Sequence, residues 1–163
     1  MTSHSILSTF LGVPCPAWKG PADGNGLEGE EDRDAREDNL SSVDWSQVLL
    51  ETHIQEGEAS ITGEEKLRRA KNSDNIQLGG RSFFSLWEDY LDNREDSVLE
   101  KLRRKRKGVK TILFLGLVLR FSDGSRNVLS LRFNDSDSEW YWDNTSLGYH
   151  FHGFSHSASL ASN

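Results

Sequence analysis

The chain has 163 residues, with 19 Lys and Arg against 26 Asp and Glu and a formal charge of −7, and its single Cys excludes an internal disulfide and a thiolate zinc cage. The longest apolar run, ILFLGLVL at 112–119, falls well short of the roughly 20 residues that a membrane-spanning helix needs. The opening MTSHSILSTFLGVPCPAW carries no basic region before its apolar stretch, so the expectation is no secretory signal, no membrane span, and a cytoplasmic or nuclear location.

Acidity and aromaticity divide along the chain. Residues 1–80 hold seven basic and 15 acidic side chains, whereas 81–163 hold 12 and 11. Phe10, Trp18 and Trp45 are the only aromatic residues before position 81. Residues 19–42, KGPADGNGLEGEEDRDAREDNLSS, offer almost nothing apolar to offset roughly 1–2 kcal/mol of backbone entropy per residue. The composition therefore predicts a disordered acidic arm over 1–42.

Residues 43–80 read as a marginal helical or linker segment. Asp44, with Gln47 three positions on, resembles an N-cap for a helix over 44–55, which would align Trp45, Val48, Leu49 and Thr52. Thr62 and Glu65 form a capping box before EEKLRRAKN. Both helices are too short to be stable alone and need a partner surface, for which Trp45, Val48 and Leu49 are the candidates.

From 81 the pattern strengthens. Phe84, Trp87, Leu91, Val98 and Leu102 fall on one stripe of a 3.6-residue period, Ser82 is a candidate N-cap, and a second capping box at Ser97 and Glu100 points to two helices, over roughly 83–93 and 98–107, with one long helix as the alternative. After Gly108 the period becomes two. VKTILFLGLVLRF, the Asp123-Gly124 turn and NVLSLRF predict an antiparallel hairpin, with EWYWDN and GYHFHGF as further short strands. The expected fold is α+β: a helix or helix pair packed on a small antiparallel sheet over 81–156, with 157–163 a flexible tail.

KLRRKRKGVK at 101–110 places Lys101, Arg103, Arg104, Lys105, Arg106, Lys107 and Lys110 within ten residues. Like charges packed this closely repel unless a polyanion draws them together, which points to a nucleic-acid backbone, a nuclear-import signal or an anionic membrane patch. Arg120 and Arg132 are placed on strands beside the cluster. Trp140 and Trp142 alternate on one strand face and are candidates for stacking on bases. His150, His152 and His156, with Asp143 or Glu139, have spacing a metal would accept, but no metal or other cofactor is expected. Asp135, Asp137 and Glu139 lack the offsets of a calcium loop. Cys15, between Pro14 and Pro16, has no neighbouring base, and no phosphate-binding or hydrolase motif is present, so an enzyme is not indicated.

FLGLVLRFSDGSRNVLSL at 114–131, through Phe114, Gly116, Ser122, Gly124, Ser125, Arg126 and Leu131, resembles a hairpin of the small-RNA-binding silencing suppressors of tombusviruses. That resemblance implies a sheet gripping duplex RNA. YWDNTSLGY at 141–149 resembles the closing strand of starch- and glycogen-binding modules, which implies a β-sandwich with Trp142, Asn144 and Tyr149 at a sugar site. The sequence as a whole is read as a non-catalytic regulatory or accessory protein, of a composition that suits a viral one, binding nucleic acid and RNA above DNA. A protein-interaction adaptor using 44–55 and a carbohydrate-binding module are the alternatives.

Overall fold

The computed structural model describes residues 12–14 and 27–162, with side chains from residue 29 onward. Phe10, Cys15, Trp18 and most of the expected acidic arm lie outside the described residues. The part of that arm that is described is ordered into elements. Leu27–Arg33 forms β2, a 3-10 turn covers Ala35–Asn39, and Gly12–Pro14 (β1) pairs antiparallel with Ser42–Asp44 (β3). Pairing with the chain's most apolar strand gives the charged segment of β2 the backbone partners its own side chains do not provide.

The architecture is α+β, with three α-helices among the described residues and a mixed sheet of seven strands rather than a small antiparallel one. After β3 come β4 (Leu49–Glu51), β5 (Ile61–Thr62), α1 (Gly63–Lys71), β6 (Ile76–Gln77), α2 (Gly80–Asn93) and α3 (Val98–Lys105). They are followed by β7 (Thr111–Phe121), β8 (Arg126–Asn134), β9 (Glu139–Ser146), β10 (His150–Phe151) and β11 (Ser155–Leu160). The main sheet runs β4-β11-β7-β8-β9. In addition, β2 pairs with the second half of β7 and β6 with β11, while β5 and β10 form a separate two-stranded ribbon. The second short strand expected after the hairpin is thus only two residues long and belongs to this ribbon.

Thr62 and Ser97 cap their helices as expected, each through its side-chain hydroxyl. Thr62 Oγ1 accepts from the Glu65 amide at 3.2 Å and Ser97 Oγ from the Glu100 amide at 3.3 Å. The hairpin of β7 and β8 closes through Asp123-Gly124, where Gly124 adopts φ 85°, a conformation that a residue with a Cβ resists.

Elsewhere the structure corrects the sequence-based expectations. Residues 44–55 do not form a helix: Asp44 Oδ1 accepts from the Ser46 amide at 3.0 Å in a tight turn, and Leu49–Glu51 enters the sheet with Leu50 buried and Leu49 exposed, a two-residue period. Trp45 and Val48 are core residues and offer no partner face. In α2 the buried stripe is Phe83, Leu86 and Tyr90, one position from the expected Phe84, Trp87 and Leu91; both sets have helical spacing, and only packing chooses between them. Ser82 lies inside that helix instead of capping it. The expected C-terminal tail carries most of β11, an internal strand pairing parallel with β7 and antiparallel with β4, and residues 43–80 contribute β4, β5, α1 and β6.

Helices cover both faces of the sheet. Ile112, Phe114, Leu117, Leu119, Leu129 and Leu131 pack toward α2 and α3, and Leu113, Leu115, Val118 and Val128 pack toward α1, Leu147 and Phe151. This explains why residues 112–119 are continuously buried, as in a strand covered on both sides. Near the middle of β7, Gly116 meets the β6 backbone: a Cβ there would lie 2.1 Å from Gln77 O.

Candidate nucleic-acid interface

Register brings the site together at one end of the sheet. Ser155 pairs with Thr111, Thr111 with Arg132, and Arg132 with Tyr141, so a transverse row crosses β11, β7, β8 and β9 on the face toward α1. Asp143 is the diagonal neighbour of Arg132 on that face, and its Oδ2 accepts from Arg132 Nη1 at 3.2 Å. The β10 ribbon rises beside this row with Tyr149 and His150, enclosing a depression of about 330 Å³. A second depression, about 500 Å³, runs from Arg132 and Asp143 past Tyr141 and Trp142 to Phe133 and Asp135 at the β8–β9 turn.

A third depression, about 380 Å³, continues from Phe133 and Asp135 to Arg103, Arg104, Lys107 and Lys110 at the end of α3. The three therefore share walls and follow one another around the end of the sheet. Among the described residues, the exposed large apolar side chains are Leu49, Leu91, Tyr141, Trp142, Tyr149 and Phe154. Four of them belong to this end, since the Phe154 carbonyl accepts from the Thr111 amide at 3.2 Å.

The basic cluster is partly committed within the fold. Arg103 is held by Glu100 at 2.5 Å and lies 4.2 Å above the Phe133 ring, Arg106 donates to the Leu50 carbonyl at 3.3 Å, and Lys110 pairs with Asp135 at 2.5 Å. Arg104, Lys105 and Lys107 are exposed, and Lys101 is half-buried. Arg132 belongs to the same end of the molecule. Arg120 does not: it lies nine residues along β7 from Thr111, about 30 Å at strand rise, so it cannot share a ligand's phosphate with α3.

The two tryptophans separate. Trp140 is 2% exposed, packs 5.6 Å from Phe133 and donates its amide to Tyr90 Oη at 3.1 Å, so it is core and not a stacking surface. Trp142, on the same side of the strand, is 40% exposed where the cover of α2 gives out, edge-on to Phe83. Tyr141, on the opposite side, is an exposed aromatic that strand alternation alone does not single out. Its hydroxyl donates to Asp137, which pushes its pKa up to about 12 and keeps it neutral. Thr111, Asp143, Tyr149 and Ser155 are likewise not legible as a group in the sequence, because their proximity exists only through strand register.

The histidines are not brought together. His150 Nδ1 lies 3.3 Å from Ser60 Oγ in the ribbon, while His156 stands opposite Ile112 on the central strand pair, half-buried. Burial lowers the His156 pKa, and the positive charges of Arg106 and Lys66 lower it further. Among the described residues no three His, Cys, Asp or Glu side chains converge as a metal-binding group. Trp142 and Tyr149 line different depressions, and helices rather than a second sheet cover the faces, so the sandwich expectation fails. No helix is long and apolar enough to cross a membrane among the described residues. Comparison of the chain with family models, curated proteins and solved structures finds no match.

Proposed function

We propose that this protein is a non-catalytic nucleic-acid-binding protein, of regulatory or accessory character, that takes single-stranded RNA in preference to DNA across the end of its sheet, in the cytoplasm or nucleus. The observation that carries this reading is the continuity of the three depressions. They join the exposed cations at the end of α3 to Tyr141, Trp142 and Tyr149 through the shared walls Arg132, Phe133 and Asp135. Cations that track a phosphate backbone, alternating with aromatic rings on which bases stack, are the combination single-strand binders use. The favoured partner is a single strand because the rings stand exposed in hollows, where only an unstacked base can reach them.

The cations are not uniform in role. Arg104, Lys105 and Lys107 are exposed and suited to phosphate contact, while Arg103 and Lys110 are tethered by carboxylates and form the walls. The test is fluorescence anisotropy of a labelled single-stranded RNA over a salt series. Affinity should fall with a log–log slope of about −0.7 for each phosphate bound. Arg104→Ala, Lys105→Ala and Lys107→Ala combined should make that slope shallower by about 0.7 for every phosphate the variant no longer neutralises. A parent protein that binds no RNA at low salt sinks the reading. Salt-independent binding of a polysaccharide would favour the carbohydrate alternative, which the 65% exposure of Tyr149 beside Asp143 supports.

A further inference from the structure

We propose that the depression between the β10 ribbon and the sheet is a base pocket that selects guanine; the inference rests on the RNA-binding reading above and names what this part of the site distinguishes. Its floor is the β8–β9 face at Arg132 and Asp143, and its wall is Tyr149, whose ring is 65% exposed and available to stack. The selecting element is the pairing of Arg132 with Asp143. Asp143 Oδ1 accepts from the Asn144 amide at 2.8 Å, and Oδ2 accepts from Arg132 Nη1 at 3.2 Å. A carboxylate has about four acceptor positions, so each oxygen is anchored by one donor and keeps one lone-pair direction for a ligand. The plane of the carboxylate is thus fixed before a ligand arrives.

Such a carboxylate calls for two N–H donors side by side. Guanine supplies them from N1 and the exocyclic N2, and it alone among the four RNA bases does so. Adenine and cytosine place a ring acceptor next to their amino group, which would face a carboxylate lone pair, and uracil has a single N–H between two carbonyls. The guanidinium of Arg132 beside the carboxylate offers further N–H groups to O6 or N7, which guanine presents as acceptors. Both side chains are about half exposed, at 58% and 52%, so water moderates the discrimination and an approximately tenfold preference is expected.

The test uses the full chain and four labelled RNA hexamers, hexauridylate and its single-position guanine, adenine and cytosine variants, at one low salt concentration, with a salt series on the guanine hexamer. The guanine hexamer should bind about tenfold more tightly than the others. Asp143→Asn replaces an acceptor with a donor and should erase that preference while leaving the salt slope unchanged, because the cations at α3 are untouched. Tyr149→Ala should weaken all four hexamers together. Near-ultraviolet circular dichroism establishes that each variant is folded, and Arg132→Gln provides a second test of selectivity if Asp143→Asn is not. Equal affinity for all four hexamers with a normal salt slope overturns the guanine pocket and leaves the RNA reading standing. A guanine preference that survives both Asp143→Asn and Arg132→Gln overturns the pocket assignment. A parent that binds none of the hexamers overturns both proposals.

Discussion

Ser82 Oγ donates a 2.7 Å hydrogen bond to Glu37 Oε2, a residue 45 positions earlier in the chain. The same oxygen accepts from the Gly79 amide at 2.6 Å and the Ser82 amide at 3.2 Å, and Oε1 accepts from the Arg81 amide at 3.2 Å. A helix begins with unpaired N–H groups and a partial positive charge, and α2 has both satisfied by one buried carboxylate delivered from the Ala35–Asn39 turn. This turn is thereby fastened to the helix that covers the sheet.

Glu37→Ala leaves several buried donors without an acceptor and should destabilise the protein by about 2–3 kcal/mol, more than the roughly 0.5–2 kcal/mol of an ordinary helix cap. Glu37→Gln keeps one carbonyl acceptor and should lose less. Urea unfolding followed by far-ultraviolet circular dichroism ranks the two. Equal stability of the alanine variant and the parent would show that water serves these donors as well as the carboxylate does.

What the sequence disclosed was whatever its neighbours in the chain decide. The caps at Thr62 and Ser97 are four-residue patterns, and the β7–β8 hairpin is built around one dipeptide, so both were legible. Glu37 was not, because one carboxylate in an acidic run is indistinguishable from its solvated neighbours until a helix start is brought against it. The serine-rich strand β11 was missed for a related reason. Ser157, Ala158 and Ser159 carry little hydrophobic signal, and the strand owes its place to β4 and β7, its partners more than 40 residues away in sequence. At the candidate site the basic run was plain, whereas the row from Ser155 to Tyr141 arises from pairing among four strands.

Removing residues 155–163 takes away a strand paired on both sides, so this truncation should abolish folding instead of trimming a tail. A dispersed proton–nitrogen NMR spectrum from the truncated chain would contradict the placement of β11 within the sheet.

Gly116→Ala should be among the most damaging single substitutions outside the site. The added carbon would lie 2.1 Å from the Gln77 carbonyl oxygen, where backbone rather than a flexible side chain must yield. The Gly116 amide also donates to the Leu78 carbonyl at 2.9 Å, so displacement breaks a hydrogen bond as well. A loss of about 3 kcal/mol is expected in thermal or urea unfolding, whereas Gly108→Ala, in open space, should be nearly neutral.

Lys66 predicts an unusual dependence of stability on pH. Its ammonium is fully buried, donating to the Thr52 carbonyl and to the Ser155 carbonyl at 3.0 Å, and burial brings its pKa down to about 8 from 10.5, with Glu51 opposing the shift. Between those values the unfolded chain holds a proton that the folded one has released. This group therefore makes stability rise with pH from about 8 to about 10.5, by about 3 kcal/mol in all, and its full cost is present below pH 8. Lys66→Met should flatten that rise relative to the parent in urea titrations at about pH 7.5 and about pH 9.5. Parallel pH profiles for variant and parent would show that Lys66 keeps an ordinary pKa.

Trp140 and Trp142 share one side of β9 but should fail in opposite ways when replaced. Trp140 is enclosed between Phe133 and Tyr90, so Trp140→Ala opens a large cavity and should cost about 3–5 kcal/mol, with RNA binding lost only as far as folding is lost. Trp142 keeps 40% of its surface and one edge-on contact with Phe83, so Trp142→Ala should cost about 1 kcal/mol of stability. If a base stacks on its free face, the same substitution should weaken single-stranded RNA binding by about 1–3 kcal/mol with little change in salt slope, because no charge has been removed. Trp140→Phe separates packing from recognition: it restores most of the core volume and should bind RNA like the parent. Unfolding curves and anisotropy measured on the same preparations decide the matter. A Trp142→Ala protein that is folded and binds RNA with undiminished affinity would remove this residue from the interface and leave Tyr141 and Tyr149 as its aromatic surface.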